Sequence, residues 1–374
     1  MDRRTWCRRQ KGAILIMTVH DINYFVTMPA MRYYDNKDEN NLKRQAMIEN
    51  ENNEYMASVK HDGCWACLIH FSRGHNLIRS RSISKVTGTY GDYTDKLPHI
   101  TAEMDYWPDN TVMLAEIAFD KPKTTANSVG TILRCLPDKA VMRQSKEKLN
   151  AFAFDLLMWN GKDMMGESYW SRSMVMLDYF RLNEKAEDGC PRPHQYIKPT
   201  QYIWRDFAVA ASNVISEGGE GIVIQRRDNP YMPDTRAAWK TLKLKKQLDE
   251  LELLVVDTIE PNEHYDGDCP DAWNYWYHDM PNADQEKPNY PVTKPFFYGW
   301  KNGVIVNFNG VNVRVTSGLT DETRKWLATI EAQELIEKKE LYVIIQAMDI
   351  NSQNSLRHPY IKGFRLASDG AAQS

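Results

Sequence analysis

The residue best placed for chemistry in this sequence is a lysine, Lys60, which opens the tetrapeptide Lys-His-Asp-Gly at positions 60–63. A lysine amine attacks an electrophile only after it has lost its proton, so an active one needs burial or neighbouring cations to lower its pKa from about 10.4. The same residues also suit a plain hairpin corner, because Asp62 can bond its own backbone and Gly63 tolerates positive φ. Either interpretation requires a strand that ends at Lys60.

Apolar stretches on both sides of this corner predict the strands that hold the lysine. They cover residues 55–60 and 64–72. By the same pattern we expect further strands at 112–119, 151–158, 221–226 and 239–245, and helices at 170–181 and 205–216. Gly218 and Gly219 are expected to end the second helix. Residues 51–247 are therefore predicted to form one α+β domain.

A smaller domain, rich in strands, is predicted for residues 248–366. Its first strand is expected at 252–257 and its last at 341–349. Residues 303–315 predict a hairpin that turns at Asn309-Gly310, a strong hairpin signal. Several strands with one short helix suit a small five-stranded Greek-key barrel, the OB-fold.

The segments within and around this second domain are less regular. Thr320 is predicted to cap its short helix, whose first turn carries Asp321 and Glu322. An acidic insertion near 262–300 interrupts the domain, and its many aromatic residues predict a packed excursion. Residues 1–50 are expected to form a partly flexible leader with the first elements, and residues 367–374 a flexible tail.

The composition describes a globular chain of 374 residues, 42% of them hydrophobic, with a formal net charge of −3. So small a net charge argues against a protein that coats nucleic acid indiscriminately. Basic residues are nevertheless concentrated at 121–148 and 240–246, and acidic ones at 262–290, which predicts one nucleic-acid face. The longest apolar run near the start, residues 13–17, is too short for a membrane helix, and six scattered cysteines suit a reducing cytoplasm.

Taken in order, six short segments resemble the nucleotidyltransferase motifs of ATP-dependent DNA ligases, which are relatives of RNA ligases and mRNA capping enzymes. The segments are 60–63, 80–81, 113–117, 152–161, 217–224 and 239–246. The resemblance implies a nucleotidyltransferase domain of antiparallel sheets with helices, followed by an OB-fold domain. Residues 317–322 and 355–359 resemble segments of DNA ligases and favour DNA over RNA. The short stretch before Lys60 implies a minimal, phage-like or viral-like enzyme.

The resemblance also implies a reaction and a set of site residues. Lys60 is expected to attack the α-phosphate of ATP and to carry AMP, which then passes to the 5′-phosphate of a nick in duplex DNA before the 3′-hydroxyl displaces it. Glu116 and Glu220 are expected near the ribose and a Mg²⁺ ion. Phe154 is expected to stack on adenine, and core packing beside Phe152 is the competing interpretation.

Cations complete the implied site. Lys243 and Lys245 match paired lysines that contact the α-phosphate, and strand alternation puts both on one face. Arg81 matches an arginine expected to touch the nucleotide or the phosphate of the nick. Further arginines expected to contact nucleic acid are Arg134, Arg357 and Arg365.

Three positions differ from the pattern of the family. Trp65 stands where relatives have an arginine five residues after the nucleophile, which makes Arg79 a candidate for the ribose contact. Ser58 stands where relatives often have a purine-reading Glu or Gln. At residues 365–369, the C-terminal RxDK motif keeps an arginine and an aspartate but has no adjacent lysine.

Three alternatives to a DNA ligase stay open at this point. They are an RNA ligase, a capping-type nucleotidyltransferase and a catalytically silent nucleic-acid-binding relative. The protein we expect is a cytoplasmic monomer that uses ATP and Mg²⁺, acts on nicked double-stranded DNA and does not engage a membrane.

Overall fold

The computed structural model describes residues 34–35, 41–50, 52–83, 88–121, 125–183, 194–233, 240–245, 248, 250–265, 290–350 and 354–369. Four parts of the predicted features lie outside these described residues: the part of the leader before residue 34, residues 266–289 of the insertion predicted near 262–300, Trp239, and residues 370–374 of the tail predicted at 367–374. The chain divides into two compact units, 1–245 and 246–374. Within the described ranges, no helix has the length and apolar character needed to cross a membrane.

The first unit is built from two β-sheets that carry helices on their outer faces. Its strands are β1 (Tyr34–Asp35), β2 (Tyr55–Lys60), β3 (Cys64–Ser72), β4 (His75–Ile83), β5 (Tyr90–Asp92), β6 (Thr111–Ala118), β7 (Asn150–Trp159), β8 (Lys162–Asp163), β9 (Ile197–Pro199), β10 (Tyr202–Ile203), β11 (Gly221–Arg226) and β12 (Thr241–Lys245). Its helices are α1 (Asn41–Glu49), α2 (Pro98–Met104), α3 (Ala126–Leu133), α4 (Pro137–Arg143), α5 (Tyr169–Asn183) and α6 (Phe207–Ser216).

Sheet A, the larger of the two, has seven strands in the order β5-β4-β3-β6-β7-β8, with β9 paired in parallel against β7. Its strand β3 is apolar along most of its length because both faces are buried. Ala66 and Leu68 pack in the core that helices α2 to α5 share, whereas Cys67 and Ile69 pack on the opposite face. Each fully buried Leu or Ile contributes about 1.5–3 kcal/mol, so β3 is a firm support for the corner at Lys60.

Sheet B has five strands in the order β1-β12-β11-β2-β10. One of its faces is apolar, since Ala57 and Ile222 pack with Phe207 and Ala211 of helix α6. Strand alternation turns the residues between them to the other face, towards sheet A. The end of β2 at Lys60 therefore lies in the space between the two sheets.

The corner at Gly63 is held by close packing, which corrects the sequence interpretation. Gly63 is not among the glycines with positive φ. A Cβ atom at this position would instead lie 2.2 Å from the backbone oxygen of Ile117 in β6. Asp62 accepts a hydrogen bond from the backbone N–H of Ala126 at 3.1 Å, which ties the corner to the start of α3. A glycine is required here because β6 passes too close for any side chain.

Replacement of Gly63 by alanine is expected to destabilise the first unit by roughly 1–3 kcal/mol, because strand β6 or the corner must move to admit the methyl group. Urea denaturation monitored by tryptophan fluorescence measures the loss. Gly363→Ala is the matched control, because no atom lies within 4 Å of its added Cβ. Equal stabilities of the two variants would contradict the close-packing account.

The second unit contains a five-stranded sheet and two helices packed against it. Its strands are β13 (Leu251–Ile259), β14 (Gly303–Phe308), β15 (Val311–Val315), β16 (Leu341–Gln346), β17 (Asp349–Ile350), β18 (Leu356–Arg357) and β19 (Tyr360–Leu366), and its helices are α7 (Lys294–Phe297), α8 (Asp321–Leu327) and α9 (Ile330–Glu337). The sheet, sheet C, has the order β15-β14-β13-β16-β19. Leu327 of α8 and Ile336 of α9 enter its core. Five strands fit the expected OB-fold, and the closure of this sheet into a barrel stays a prediction.

Two local predictions for the second unit are confirmed, and one is wrong. Asn309 and Gly310 both have positive φ, 50° and 81°, in the predicted hairpin turn. The side chain of Thr320 caps α8 by accepting a hydrogen bond from the N–H of Thr323. The strand predicted at 341–349 ends at Gln346 and is not the last, because β19 pairs with it. Partly exposed polar residues and a glycine interrupt β19, so its apolar pattern is weak in the sequence.

In the first unit, β2, β3 and β11 have the predicted bounds, and the other predicted elements shift by one or two residues. The helix predicted at 205–216 begins at Phe207 because Asp206 before it has a left-handed φ of 56°. Strand β4 was not predicted, since its sequence His-Asn-Leu-Ile-Arg-Ser-Arg-Ser-Ile carries polar residues on both faces. This omission matters because β4 carries Arg81.

Candidate active site

A cavity of about 490 Å³ opens between sheets A and B of the first unit. This volume is in the usual range of small-molecule sites. Residues from both sheets line it, together with the Lys60 corner. The lining residues are Ser58, Val59, Lys60, His61, Gly63, Cys64, Trp65, Ser80, Arg81, Ser82, Tyr93, Glu116, Arg134, Phe154, Thr200, Val223, Gln225 and Lys243.

Lys60 lies at the end of β2, where its Nζ atom contacts Oε2 of Glu220. The contact is largely sheltered from solvent, since the side chains of Lys60 and Glu220 are 19% and 5% exposed. Glu220 directly precedes β11, and the next residue, Gly221, pairs with Lys60 across the sheet. Gly221 has a φ of 136°, and a Cβ atom there would lie 2.1 Å from the backbone oxygen of Leu244. The glycine therefore lets β11 pack between β2 and β12 at the point where Glu220 meets Lys60.

Lys243 and Lys245 lie on β12, on the same face of sheet B as Lys60. Gly221 pairs with Lys60 on one side and with Lys245 on the other, and Val223 pairs with Lys243. Lys243 lines the cavity. With Arg81 and Arg134 at its edge, the lining carries more cations than carboxylates, a balance that suits an anionic ligand such as a phosphate ester.

Glu116 of β6 enters the cavity from sheet A, opposite Trp65 in the register of β3 and β6. Burial raises the pKa of Glu116 to about 7, and the charges of Glu220 and Asp62 act in the same direction. Lys60 opposes this rise most strongly. A carboxyl group in this environment is more stable when a proton or a cation neutralises it.

The two glutamates beside Lys60 are suitable ligands for a divalent cation. Glu116 and Glu220 interact electrostatically with each other and with Lys60. Carboxylate oxygens are hard ligands, and Mg²⁺ commonly uses one or two of them together with waters and substrate phosphates. In the part of the chain that the structure describes, no three or more His, Cys, Asp or Glu side chains form a metal-binding group. The chemistry of the pair therefore fits Mg²⁺, which Glu116 and Glu220 would hold through their carboxylate oxygens.

Phe152 and Phe154 of β7 have different surroundings, although strand alternation puts them on one face. Phe152 is 6% exposed and stacks on the ring of His61, with centroids 3.8 Å apart and planes within 12°. Phe154 lines the cavity from sheet A, while Val223 lines it from sheet B. A flat aromatic wall and an aliphatic wall suit a planar apolar group between them.

His61 is a site residue that the sequence interpretation did not single out. Burial lowers its pKa to about 4, and the neighbouring charge of Lys60 adds to this effect. Its Nε2 atom lies 3.3 Å from the hydroxyl of Thr200, which donates a hydrogen bond to the backbone oxygen of Val59 at 3.0 Å. The imidazole is therefore neutral at physiological pH, and its contacts are with Phe152 and Thr200.

The low pKa of His61 predicts that the free energy of unfolding decreases as the pH is lowered from 6.5 to 4. In this window the histidine takes up a proton in the unfolded chain but not in the folded chain. We expect this residue to contribute a loss of about 3 kcal/mol over the window. His61→Asn should reduce the change in unfolding free energy between pH 7 and pH 4.5, measured by urea denaturation. His75→Asn is the control, because His75 is exposed. Equal pH dependence of the unfolding free energy in the wild type and in His61→Asn would contradict the lowered pKa of His61.

The predicted arginines have distinct positions. Arg81 and Arg134 line the cavity at exposed positions. Arg79 is paired with Asp92, with Nη1 and Oδ2 2.9 Å apart. The last two, Arg357 and Arg365, lie in the second unit, where Nε of Arg365 donates to Oε2 of Glu252 at 2.8 Å.

Several lining residues were missed by the sequence interpretation. Ser82 belongs to β4, which was not predicted, and Tyr93 and Thr200 lie outside the proposed motifs. Gln225 could have been found, because it directly follows the apolar run Ile-Val-Ile in the strand sequence Gly-Ile-Val-Ile-Gln-Arg. Its alternation with Val223 places both on the cavity face.

Sequence comparison identifies relatives of this chain. A sequence profile described as ATP dependent DNA ligase domain matches residues 40–245, more than half of the chain. Two curated proteins named DNA ligase, from Cenarchaeum symbiosum and Methanococcus maripaludis, are 25% identical over 201 residues and 24% identical over 225 residues. The matches cover 50% and 56% of this chain but 31% and 37% of the relatives, so the chain spans about a third of their length.

Solved structures share the fold at low sequence identity. The structure named Pmar-Lig_PreS3 has a TM-score of 0.60 and 15% identity, covering 90% of this chain and 67% of that one. A structure from "DNA binding with a minimal scaffold: Structure-function analysis of Lig E DNA ligases" has a TM-score of 0.55 and 14% identity, covering 91% and 99%. Because the profile match extends over more than half of its residues, the chain belongs to the ATP-dependent DNA ligase domain family.

Proposed function

We propose that this chain seals nicks in duplex DNA through a covalent lysyl-AMP on Lys60. The observation that carries the proposal is the convergence of Lys60, Glu116, Phe154 and Lys243 on one cavity, with Glu220 in contact with the lysine. A nucleophilic amine, carboxylates, an aromatic wall and further cations are the groups that transfer of a nucleotide requires.

In the first step, the amine of Lys60 gives up a proton and attacks the α-phosphorus of ATP. A phosphorus–nitrogen bond forms, the bond to the bridging oxygen breaks, and pyrophosphate leaves. Lys243 and Lys245 lie on the face of sheet B that carries Lys60, so we assign them to neutralising the α-phosphate. Phe154 and Val223 are assigned to the two faces of the adenine.

In the later steps, AMP moves to DNA and is released. An oxygen of the 5′-phosphate attacks the α-phosphorus, forms a pyrophosphate linkage and frees Lys60. The 3′-hydroxyl then attacks the 5′-phosphate, closes the phosphodiester and expels AMP. Arg81 and Arg134, exposed at the cavity edge, are assigned to the DNA phosphates, and Arg357 and Arg365 of the second unit to nucleic acid beyond the nick.

We assign Glu116 and Glu220 as the residues that would hold Mg²⁺, because carboxylate oxygens are hard ligands and the raised pKa of Glu116 indicates that a neutralising cation would be favourable there. When bound, the metal would neutralise charge on the phosphate during nucleotidyl transfer. Glu220 also orients the ammonium of Lys60 before the reaction through their direct contact.

The remaining assignments concern the whole protein. We propose that residues 51–247 act as the nucleotidyltransferase domain and 248–366 as an OB-fold domain, with a monomer acting on each nick. The free thiols at Cys64, Cys67 and Cys135 suit the reducing cytoplasm in which we place the protein. The same residues serve whether the chain acts alone or as part of a longer ligase.

Intact-mass spectrometry before and after incubation with ATP and Mg²⁺ tests the first step, and labelled nicked duplexes test the sealing. We expect a gain of one AMP and joining of a nick with deoxyribose on both sides. A gain of GMP from GTP alone, or joining restricted to ribose ends, would overturn the DNA-ligase proposal in favour of a capping or RNA-joining enzyme.

A further inference from the structure

The side-chain oxygen of Gln225 lacks a hydrogen-bond partner within the part of the chain that the structure describes. The side chain is buried, with 2% of its surface exposed, yet it lines the cavity. Its Oε1 atom has no hydrogen-bond partner among the described residues. Buried polar groups are nearly always paired, and an unpaired one is destabilising. The carboxamide oxygen is therefore suited to accept a hydrogen bond from a ligand.

The position of Gln225 within sheet B indicates which part of a ligand it would meet. Along β11, Gly221 pairs with Lys60, Val223 with Ser58, and Gln225 with Met56. Strands rise about 3.3 Å per residue, so Gln225 lies about 13 Å along the sheet from the row of Lys60. Val223 is midway. A nucleotide with its α-phosphate at Lys60 and its base over Val223 would direct the far edge of that base to Gln225.

We propose that Gln225 reads the base of the nucleotide, with Oε1 accepting a hydrogen bond from the exocyclic 6-amino group of adenine. This inference rests on the proposed function, since it takes Lys60 as the attachment point. Guanine carries an acceptor oxygen in place of that amino group, so two acceptors would face each other. Ser58, in the row nearer to Lys60, has a short side chain that leaves the far edge of the base to Gln225.

A purely structural role for Gln225 would involve Thr241. The two residues pair across β11 and β12, and Oγ1 of Thr241 also has no hydrogen-bond partner among the described residues. If Gln225 had only a structural role, its carboxamide would form a hydrogen bond with the hydroxyl of Thr241 and would not discriminate between nucleotides. Nucleotide preference, rather than stability, therefore separates the two roles.

The test compares kcat/KM for covalent nucleotide attachment with ATP and with purine riboside triphosphate, which lacks only the 6-amino group. We expect the wild type to prefer ATP by about 10- to 100-fold, the effect of one buried hydrogen bond. Gln225→Met should bring the ratio close to one by slowing the reaction with ATP. Thr241→Val, the matched control, should keep the wild-type ratio.

Two results would overturn the inference. One is a wild type that uses both nucleotides equally, a comparison that needs no variant to fold. The other is a folded Gln225→Met protein that keeps the wild-type ratio. A wild type that attaches no nucleotide from either triphosphate, with Mg²⁺ present, would instead overturn the proposed function, so the two failures are distinguishable.

Discussion

Lys60→Arg is expected to abolish the covalent gain of AMP completely, while the protein remains folded. Arginine keeps the positive charge beside Glu220, but a guanidinium does not lose its proton in proteins and cannot act as the nucleophile. Intact mass after incubation with ATP and Mg²⁺ measures the loss. Lys60→Ala should give the same result with lower stability, because it also leaves the buried carboxylate of Glu220 without its partner.

The control for this prediction is Lys162→Ala, which removes an exposed lysine that pairs with Glu167 in the same unit. It should acquire AMP at the wild-type rate. A nick whose 5′-phosphate already carries AMP needs only the last step, so Lys60→Arg should still join it. Adduct formation in Lys60→Arg, mapped to Lys243 or Lys245, would contradict the assignment of the nucleophile.

Glu220→Gln is expected to slow AMP attachment by about 10²–10³-fold, the usual cost of removing one electrostatic contact to a transition state. The amide has nearly the shape of the carboxylate but neither orients an ammonium as strongly nor holds a cation as well. Single-turnover rates measured over a range of Mg²⁺ concentrations should show both a lower maximum and a higher Mg²⁺ requirement.

Glu217→Gln is the matched control, because Glu217 is an exposed carboxylate three residues earlier in the same segment. It should leave the rate and the Mg²⁺ requirement unchanged. If Glu220→Gln reacted at the wild-type rate, the contact between Glu220 and Lys60 would be a structural ion pair only.

The sequence predicted the elements of this site better than their arrangement. Strands β2, β3 and β11 have the predicted bounds, because each is a compact apolar run with turn residues beside it. Strand β4 was missed, since polar residues occur on both of its faces. The last strand of sheet C was missed for a similar reason: its apolar residues are interrupted by Lys362, Gly363 and Arg365.

The pairing of strands was beyond the reach of sequence patterns. Glu220 meets Lys60 because β11 lies between β2 and β12, a juxtaposition of segments that are far apart along the chain. Composition and periodicity report only local structure. They could therefore suggest neither the contact between Lys60 and Glu220 nor the lack of a hydrogen-bond partner for Oε1 of Gln225. Gly63 illustrates the same limit, since the reason for the glycine is a neighbouring strand and not its own turn.

The row formed by Lys60, Gly221 and Lys245 has a mechanical consequence. Neighbouring strands are about 4.8 Å apart, so two ladders of main-chain hydrogen bonds separate the backbones of the two lysines by roughly 10 Å. Insertions or deletions in the surrounding loops cannot change that interval without breaking the ladders. Evolution can therefore lengthen or trim the periphery of such a chain while the interval between the backbones of the two lysines stays fixed.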